Sequence, residues 1–201
     1  MMRRTILLVA TMALTLLVAS GVALAVTRIG TNGPDTLRGT NKADNLIGKG
    51  GNDKLLALAG NDTLLGGPGK DIVNGGNLAR PFGGDKNLVG GPGNDLVQGG
   101  LDSDNVVGQE GNDLVIDGDN GDISAPQPDN LAGGDGNDVI GSINKPADVD
   151  VLVCGSGFDR VLVDRIDVVA PDCEKVFVGF GSIEAFENSI PDSFFEGLPQ
   201  D

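Results

Sequence analysis

The sequence predicts an all-β chain, a parallel β-solenoid of short stacked turns, on three observations. A nine-residue pattern recurs in phase between Gly30 and Leu162. Its eighth position is aliphatic at every recurrence. The chain has 33 Gly among 201 residues but only 7 Phe, no Trp and no Tyr. Its core must therefore be aliphatic, and its backbone must bend at many tight turns.

The first five units, GTNGPDTLR, GTNKADNLI, GKGGNDKLL, ALAGNDTLL and GGPGKDIVN, cover 30–74 without a gap. GGPGNDLVQ (90–98), GGLDSDNVV (99–107), GQEGNDLVI (108–116), GGDGNDVIG (133–141) and CGSGFDRVL (154–162) follow. Longer units fill 75–89, 117–132 and 142–153, making thirteen turns in chain order. Position eight reads Leu37, Leu46, Leu55, Leu64, Val73, Leu88, Val97, Val106, Val115, Leu131, Ile140, Leu152 and Val161. A disordered acidic chain has no reason for that regularity, whereas a stacked solenoid needs one inward apolar side chain per turn. Position six is Asp in twelve of the thirteen turns, with Lys86 the exception.

The tandem GGxGxDxUx array resembles the RTX family, the hemolysin-type calcium-binding nonapeptide repeat. The resemblance covers roughly 30–162. It implies a parallel β-roll in which the first six residues of each unit form a turn and the last three a strand. Two units then make one coil, and turns eighteen residues apart stack on one edge. Calcium is expected between stacked turns, taking backbone carbonyls and Asp carboxylates from both. The chemistry agrees. Calcium accepts six to eight oxygens in flexible geometry. Carboxylates about 4.8 Å apart repel by about 1 kcal/mol even in water. The array is accordingly expected to be largely unfolded without calcium.

Sorting the turns by parity separates two edges. Every odd turn has Gly at position four, namely Gly33, Gly51, Gly69, Gly93, Gly111, Gly136 and Gly157. Every odd turn also has Asp at position six, namely Asp35, Asp53, Asp71, Asp95, Asp113, Asp138 and Asp159. These are the expected metal ligands and their turn glycines. With six gaps between seven turns, about six ions are expected in one column. The even edge departs from the pattern. Lys42 and Asp102 replace the position-four Gly, Lys86 replaces the Asp, and all three insertions fall there. Few ions are expected on it, with Asp44, Asp62 and Asp104 the best candidates. The insertions read as tolerated loops. A recognition face around Arg80-Pro81-Phe82 and Pro126-Gln127-Pro128 is the alternative.

Met1–Ala25 reads as a signal peptide, with Arg3 and Arg4 before an apolar run and Ala23-Leu24-Ala25 as the cleavage site. An uncleaved membrane anchor is the other reading. Removal of this segment leaves no membrane association, and the expected location is secreted, extracellular. In an exported chain Cys154 and Cys173 are expected to form a disulfide. That bond would clamp a C-terminal cap ending near residue 178, with Phe177, Phe180 and Phe186 as cover. An acidic tail, 179–201, reads as partly disordered.

Composition limits function. A net charge of −15 argues against nucleic acid, which wants a basic surface. The chain has no His, which excludes His-based triads and His-ligated zinc. The pore-forming segments of RTX toxins and the zinc motifs of RTX proteases are absent from these residues. Two classes remain. One is a calcium-binding structural or interaction module with an unidentified extracellular partner. The other is a secreted solenoid enzyme acting on acidic polysaccharide.

Overall fold

The computed structural model describes residues 24–76, 86–118, 127–142 and 149–179. Most of the signal segment, the insertions at 77–85, 119–126 and 143–148, and the tail beyond Gly179 lie outside the described residues, as do Arg80-Pro81-Phe82, Phe180 and Phe186.

Each unit contributes one short strand. In chain order the strands are β1 (Thr27–Ile29), β2 (Thr36–Arg38), β3 (Asn45–Ile47), β4 (Lys54–Leu56), β5 (Thr63–Leu65), β6 (Ile72–Asn74), β7 (Asn87–Pro92) and β8 (Leu96–Gln98). Then come β9 (Asn105–Glu110), β10 (Leu114–Ile116), β11 (Asn130–Asp135), β12 (Val139–Ser142), β13 (Val151–Ser156), β14 (Arg160–Val163), β15 (Val168–Val169) and β16 (Lys175–Val178). The odd-numbered strands form one sheet in the order β1-β3-β5-β7-β9-β11-β13-β15, and the even-numbered strands form the second, from β2 to β16. Every pairing is parallel and every neighbour lies two units away, so the chain climbs as a β-roll.

Register follows position eight. Leu55 pairs Leu37 and Val73, Val73 pairs Val97, and Val97 pairs Val115. Across the insertions the aliphatic residues still align, Leu64 with Leu88 and Leu131 with both Val106 and Leu152. A slip of one residue would turn this file outward, so the period of two enforces the register. Twelve of the thirteen position-eight residues are at most 1% exposed, while Leu37, in the first turn, is half-buried. The core is therefore a thin double file of Leu, Val and Ile between the two sheets.

The stack runs beyond the thirteen turns. Val168 and Val169 pair with Val151 and Leu152, and Lys175–Val178 pairs with Arg160–Val163. This additional coil is built from VLVDRIDVVAPDCEKVFV, within the C-terminal cap. Cys154 and Cys173 are disulfide-bonded, with Cα atoms 5.2 Å apart. Cys154 is fully buried and Cys173 packs against the core, so the bond ties the last coil to the file beneath it.

Two outcomes should follow. Leu88→Ala should cost about 2–5 kcal/mol, whereas Leu37→Ala, at the half-buried end, should cost far less; thermal melts with calcium present would rank them. Replacing Cys154 and Cys173 together by Ala should cost about 3 kcal/mol, and hydrogen exchange should show the loss concentrated in β13–β16.

Candidate metal centre

The position-six carboxylates form a ladder along each edge. On the odd edge one oxygen of each Asp after Asp35 accepts the backbone N–H of the position-six Asp one coil earlier. Asp35 N–H donates to Asp53 Oδ1 at 2.8 Å, Asp53 to Asp71 at 2.7 Å, and Asp71 to Asp95 at 2.7 Å. Asp95 donates to Asp113 at 2.8 Å, Asp113 to Asp138 at 2.8 Å, and Asp138 to Asp159 at 2.7 Å. The Asp159 N–H ends the series on Glu174 Oε2 at 2.8 Å. The sequence reading missed Glu174. Its signal was available, because Glu174 stands two residues before Val176, as each Asp stands two before its position-eight residue.

The second carboxylate oxygen decides the chemistry. In Asp53, Asp71, Asp95, Asp113, Asp138 and Asp159, and in Asp62 on the even edge, Oδ2 is buried and has no hydrogen-bond partner. A buried polar atom left so costs free energy, an ionised one more. In five of these turns Oδ2 faces the glycine at the first position of its own turn. A Cβ at Gly48, Gly66, Gly90, Gly108 or Gly133 would strike the Oδ2 of Asp53, Asp71, Asp95, Asp113 or Asp138. The position-one glycine, passed over in the sequence reading, keeps that space open.

Position four behaves as expected in six odd turns. Gly51, Gly69, Gly93, Gly111, Gly136 and Gly157 all have positive φ, and a Cβ on any of them would collide with backbone of the preceding stacked turn. Gly33 differs. It lacks positive φ, and a Cβ there would meet only Thr31 Oγ1, at 3.9 Å. Position two also takes positive φ in most turns, even where it is Lys49, Leu58 or Gln109. Position five adds an outer ladder, in which Asn94, Asn112 and Asn137 Oδ1 accept the N–H of Asn112, Asn137 and Phe158.

Two candidate ligands have their second oxygen occupied. Asp35 Oδ2 accepts from the Thr31 N–H at 2.6 Å and its hydroxyl at 2.9 Å. Asp44 Oδ2 accepts likewise from Thr40. Thr at position two thus caps the first turn of each edge, and the Thr31 bonds hold the Asp35 carboxyl below its ordinary range.

The even edge is longer than its sequence suggested. Asp44 N–H donates to Asp62, then the ladder breaks at Lys86. It resumes as Lys86 N–H to Asp104, Asp104 to Asp129 and Asp129 to Asp150, at 2.7–2.8 Å, and Asp150 to Asp167 at 3.2 Å. Asp129, Asp150 and Asp167 were not among the expected ligands. The first two already stood at position six in the sequence, but their turns carry insertions and were not expected to hold ions. Asp102 adopts positive φ without being Gly and accepts a 2.8 Å bond from buried Gln127. Gln127 therefore turns inward, whereas Pro128 is exposed and Pro126 lies outside the described residues.

Burial raises the stacked carboxyls. Asp95 is pushed up to about 8, by desolvation first and then by the charges of Asp113 and Asp71. Desolvation likewise pushes Asp113 and Asp138 to about 7, and Asp62 and Asp71 to about 6. Among the described residues no three acidic or Cys side chains converge as a metal-binding group. An ion between turns would therefore draw on main-chain carbonyls beside the carboxylates, which suits a hard cation with many oxygen ligands.

The family model of the RTX calcium-binding nonapeptide repeat matches the chain in four copies, over residues 29–64, 47–77, 82–115 and 127–140. The chain carries RTX calcium-binding nonapeptide repeats. Calcium is the ion that RTX repeats bind, and the buried, unpartnered Oδ2 atoms fit it. No curated protein is similar enough to serve as a relative.

The raised carboxyls set the sign of the pH response. The folded RTX stack holds more protons than the unfolded chain between the ordinary value of 3.8 and about 8. Without calcium its stability should therefore fall as pH rises through that window. Circular dichroism of calcium-free chain should show more β-structure near pH 5 than near pH 8.5. More calcium should be needed as pH falls, because calcium must displace those protons. Gly93→Ala should destabilise by roughly 1–3 kcal/mol from backbone strain alone, while Gly33→Ala should be nearly neutral in the same melts.

Proposed function

We propose that this RTX protein is a secreted calcium-binding β-roll that folds on calcium binding and acts as a structural or interaction module. One observation carries this reading: six consecutive odd-edge aspartates stack with a buried, unpartnered oxygen each. Six like charges along one edge, with burial opposing their ionisation, favour the unfolded chain until cations bridge them.

In this reading Asp53, Asp71, Asp95, Asp113, Asp138 and Asp159 supply carboxylate ligands of the odd column. The glycines at position four give the backbone its turn. Asp62 and Asp104 contribute on the even edge, and we add Asp129, Asp150 and Asp167 to that edge. Asp35 and Asp44, capped by threonine, contribute least. Residues 1–25 act as a signal peptide, 26–178 as the β-roll with its disulfide-clamped cap, and 179–201 as a tail. The disulfide supports an oxidising location. The carboxylates of the stack are committed to register-holding bonds, which favours a binding module over an enzyme acting on acidic polysaccharide.

Far-ultraviolet circular dichroism during a calcium titration tests the proposal, with magnesium as control. The chain should gain β-structure cooperatively with calcium and little with magnesium, which keeps its waters. Full β-content and an unchanged melt after exhaustive chelation would overturn calcium-driven folding. Asp95→Asn should raise the calcium midpoint several-fold, because it removes a charge from mid-column, and Asp35→Asn should barely move it. Equal effects would defeat this assignment of ligands.

A further inference from the structure

One turn of the even edge carries the wrong charge for a calcium ladder. Lys86 stands at position six, where turns two, four, eight, ten and twelve hold Asp44, Asp62, Asp104, Asp129 and Asp150. It is 2% exposed and is the largest fully buried side chain among the described residues. Burying an ammonium is costly unless it is paired and hydrogen-bonded. Lys86 is both. Its Nζ donates to the Leu101 carbonyl at 3.1 Å and lies 3.8 Å from Asp104 Oδ1.

Both groups belong to turn eight, the next turn on the same edge. A main-chain carbonyl and a position-six carboxylate are the oxygen types that the RTX stack offers to calcium. The stem of Lys86 runs past Gly75, the first residue of its own turn, where an added Cβ would lie 2.8 Å from Lys86 Cδ. In the neighbouring turns that place faces an Asp Oδ2. The backbone of Lys86 meanwhile keeps the ladder geometry. Its N–H donates to Asp104 Oδ1 at 2.8 Å, and its carbonyl accepts from Asn105 at 2.9 Å. The side chain alone has changed, from a ligand that requires a cation to a cation.

We propose that the Lys86 ammonium is a built-in substitute for calcium in the even-edge gap between turns six and eight. That gap takes no divalent ion, and the edge is divided into two separate calcium segments, one on either side. The register at turn six, directly after the 77–85 insertion, is thus held without calcium. This inference rests on the calcium-binding reading above.

Calcium stoichiometry of the full chain, by isothermal titration calorimetry, tests it with three variants. Lys86→Asp restores the missing rung and should bind one more calcium ion than the wild type. Lys86→Arg keeps the charge and should keep the wild-type stoichiometry. Lys86→Met removes the charge, gains no ion, and should raise the calcium midpoint for folding several-fold. A wild type that binds no calcium would sink the underlying reading and this inference with it. A wild type that binds calcium, beside a Lys86→Asp chain with unchanged stoichiometry, would overturn the inference alone. Should Lys86→Asp fail to fold, Lys86→Met decides: a wild-type midpoint there would overturn it.

Discussion

Everything in this molecule depends on the bond between a position-six carboxylate and the backbone amide one coil earlier. That bond fixes the rise between turns and does so with a charged acceptor, the stronger kind of hydrogen bond. It uses one oxygen and leaves the other facing the first residue of its own turn. Repeating the bond along an edge therefore repeats a buried negative charge at every coil. The same interaction that orders the stack loads it with charge. Calcium, with its appetite for oxygen, resolves the conflict in the RTX repeat, and Lys86 resolves it once with a side chain.

The interior explains why so much rests on the edges. Two files of Leu, Val and Ile, one side chain per turn, make a core with no aromatic residue among its buried members within the described residues. Such a core specifies register well, because a slip of one residue would expose the whole file. It supplies less buried area per residue than a globular interior. The molecule treats the end turns specially. Threonines cap the first carboxylate of each edge, and a disulfide and an added coil close the other end.

The two edges differ in a subtler way than presence or absence of the motif. The odd edge keeps glycine at position four throughout, so its turns approach closely enough for Gly93 and Gly111 to donate to carbonyls of the following turn. The even edge admits insertions, a non-glycine at positive φ in position four, and a lysine at position six, yet its ladder resumes through Asp129, Asp150 and Asp167. Insertions are tolerated because they enter ahead of position six. The chain regains phase before it reaches the residues that bond to the next coil.

By itself the sequence determined the coil. The period of nine, the aliphatic eighth position and the parity of the turns are local and repetitive, and each copy reports the same environment. Stacking partners eighteen residues apart, the aspartate ladder and the cysteine pair were all legible from that repetition. Only the tertiary structure decided what each copy does where its neighbours are unusual. Thr31 and Thr40 became caps in the first repeat turn of each edge, where their N–H and hydroxyl reach the second oxygen of Asp35 and Asp44. Glu174 and Asp167 became rungs because the chain continues one coil past the last recognisable unit. Lys86 became an internal cation because its stem could pass Gly75 and reach the turn above. A repeat encodes the average coil; hydrogen-bond partners in adjacent coils, remote in sequence, set the exceptions.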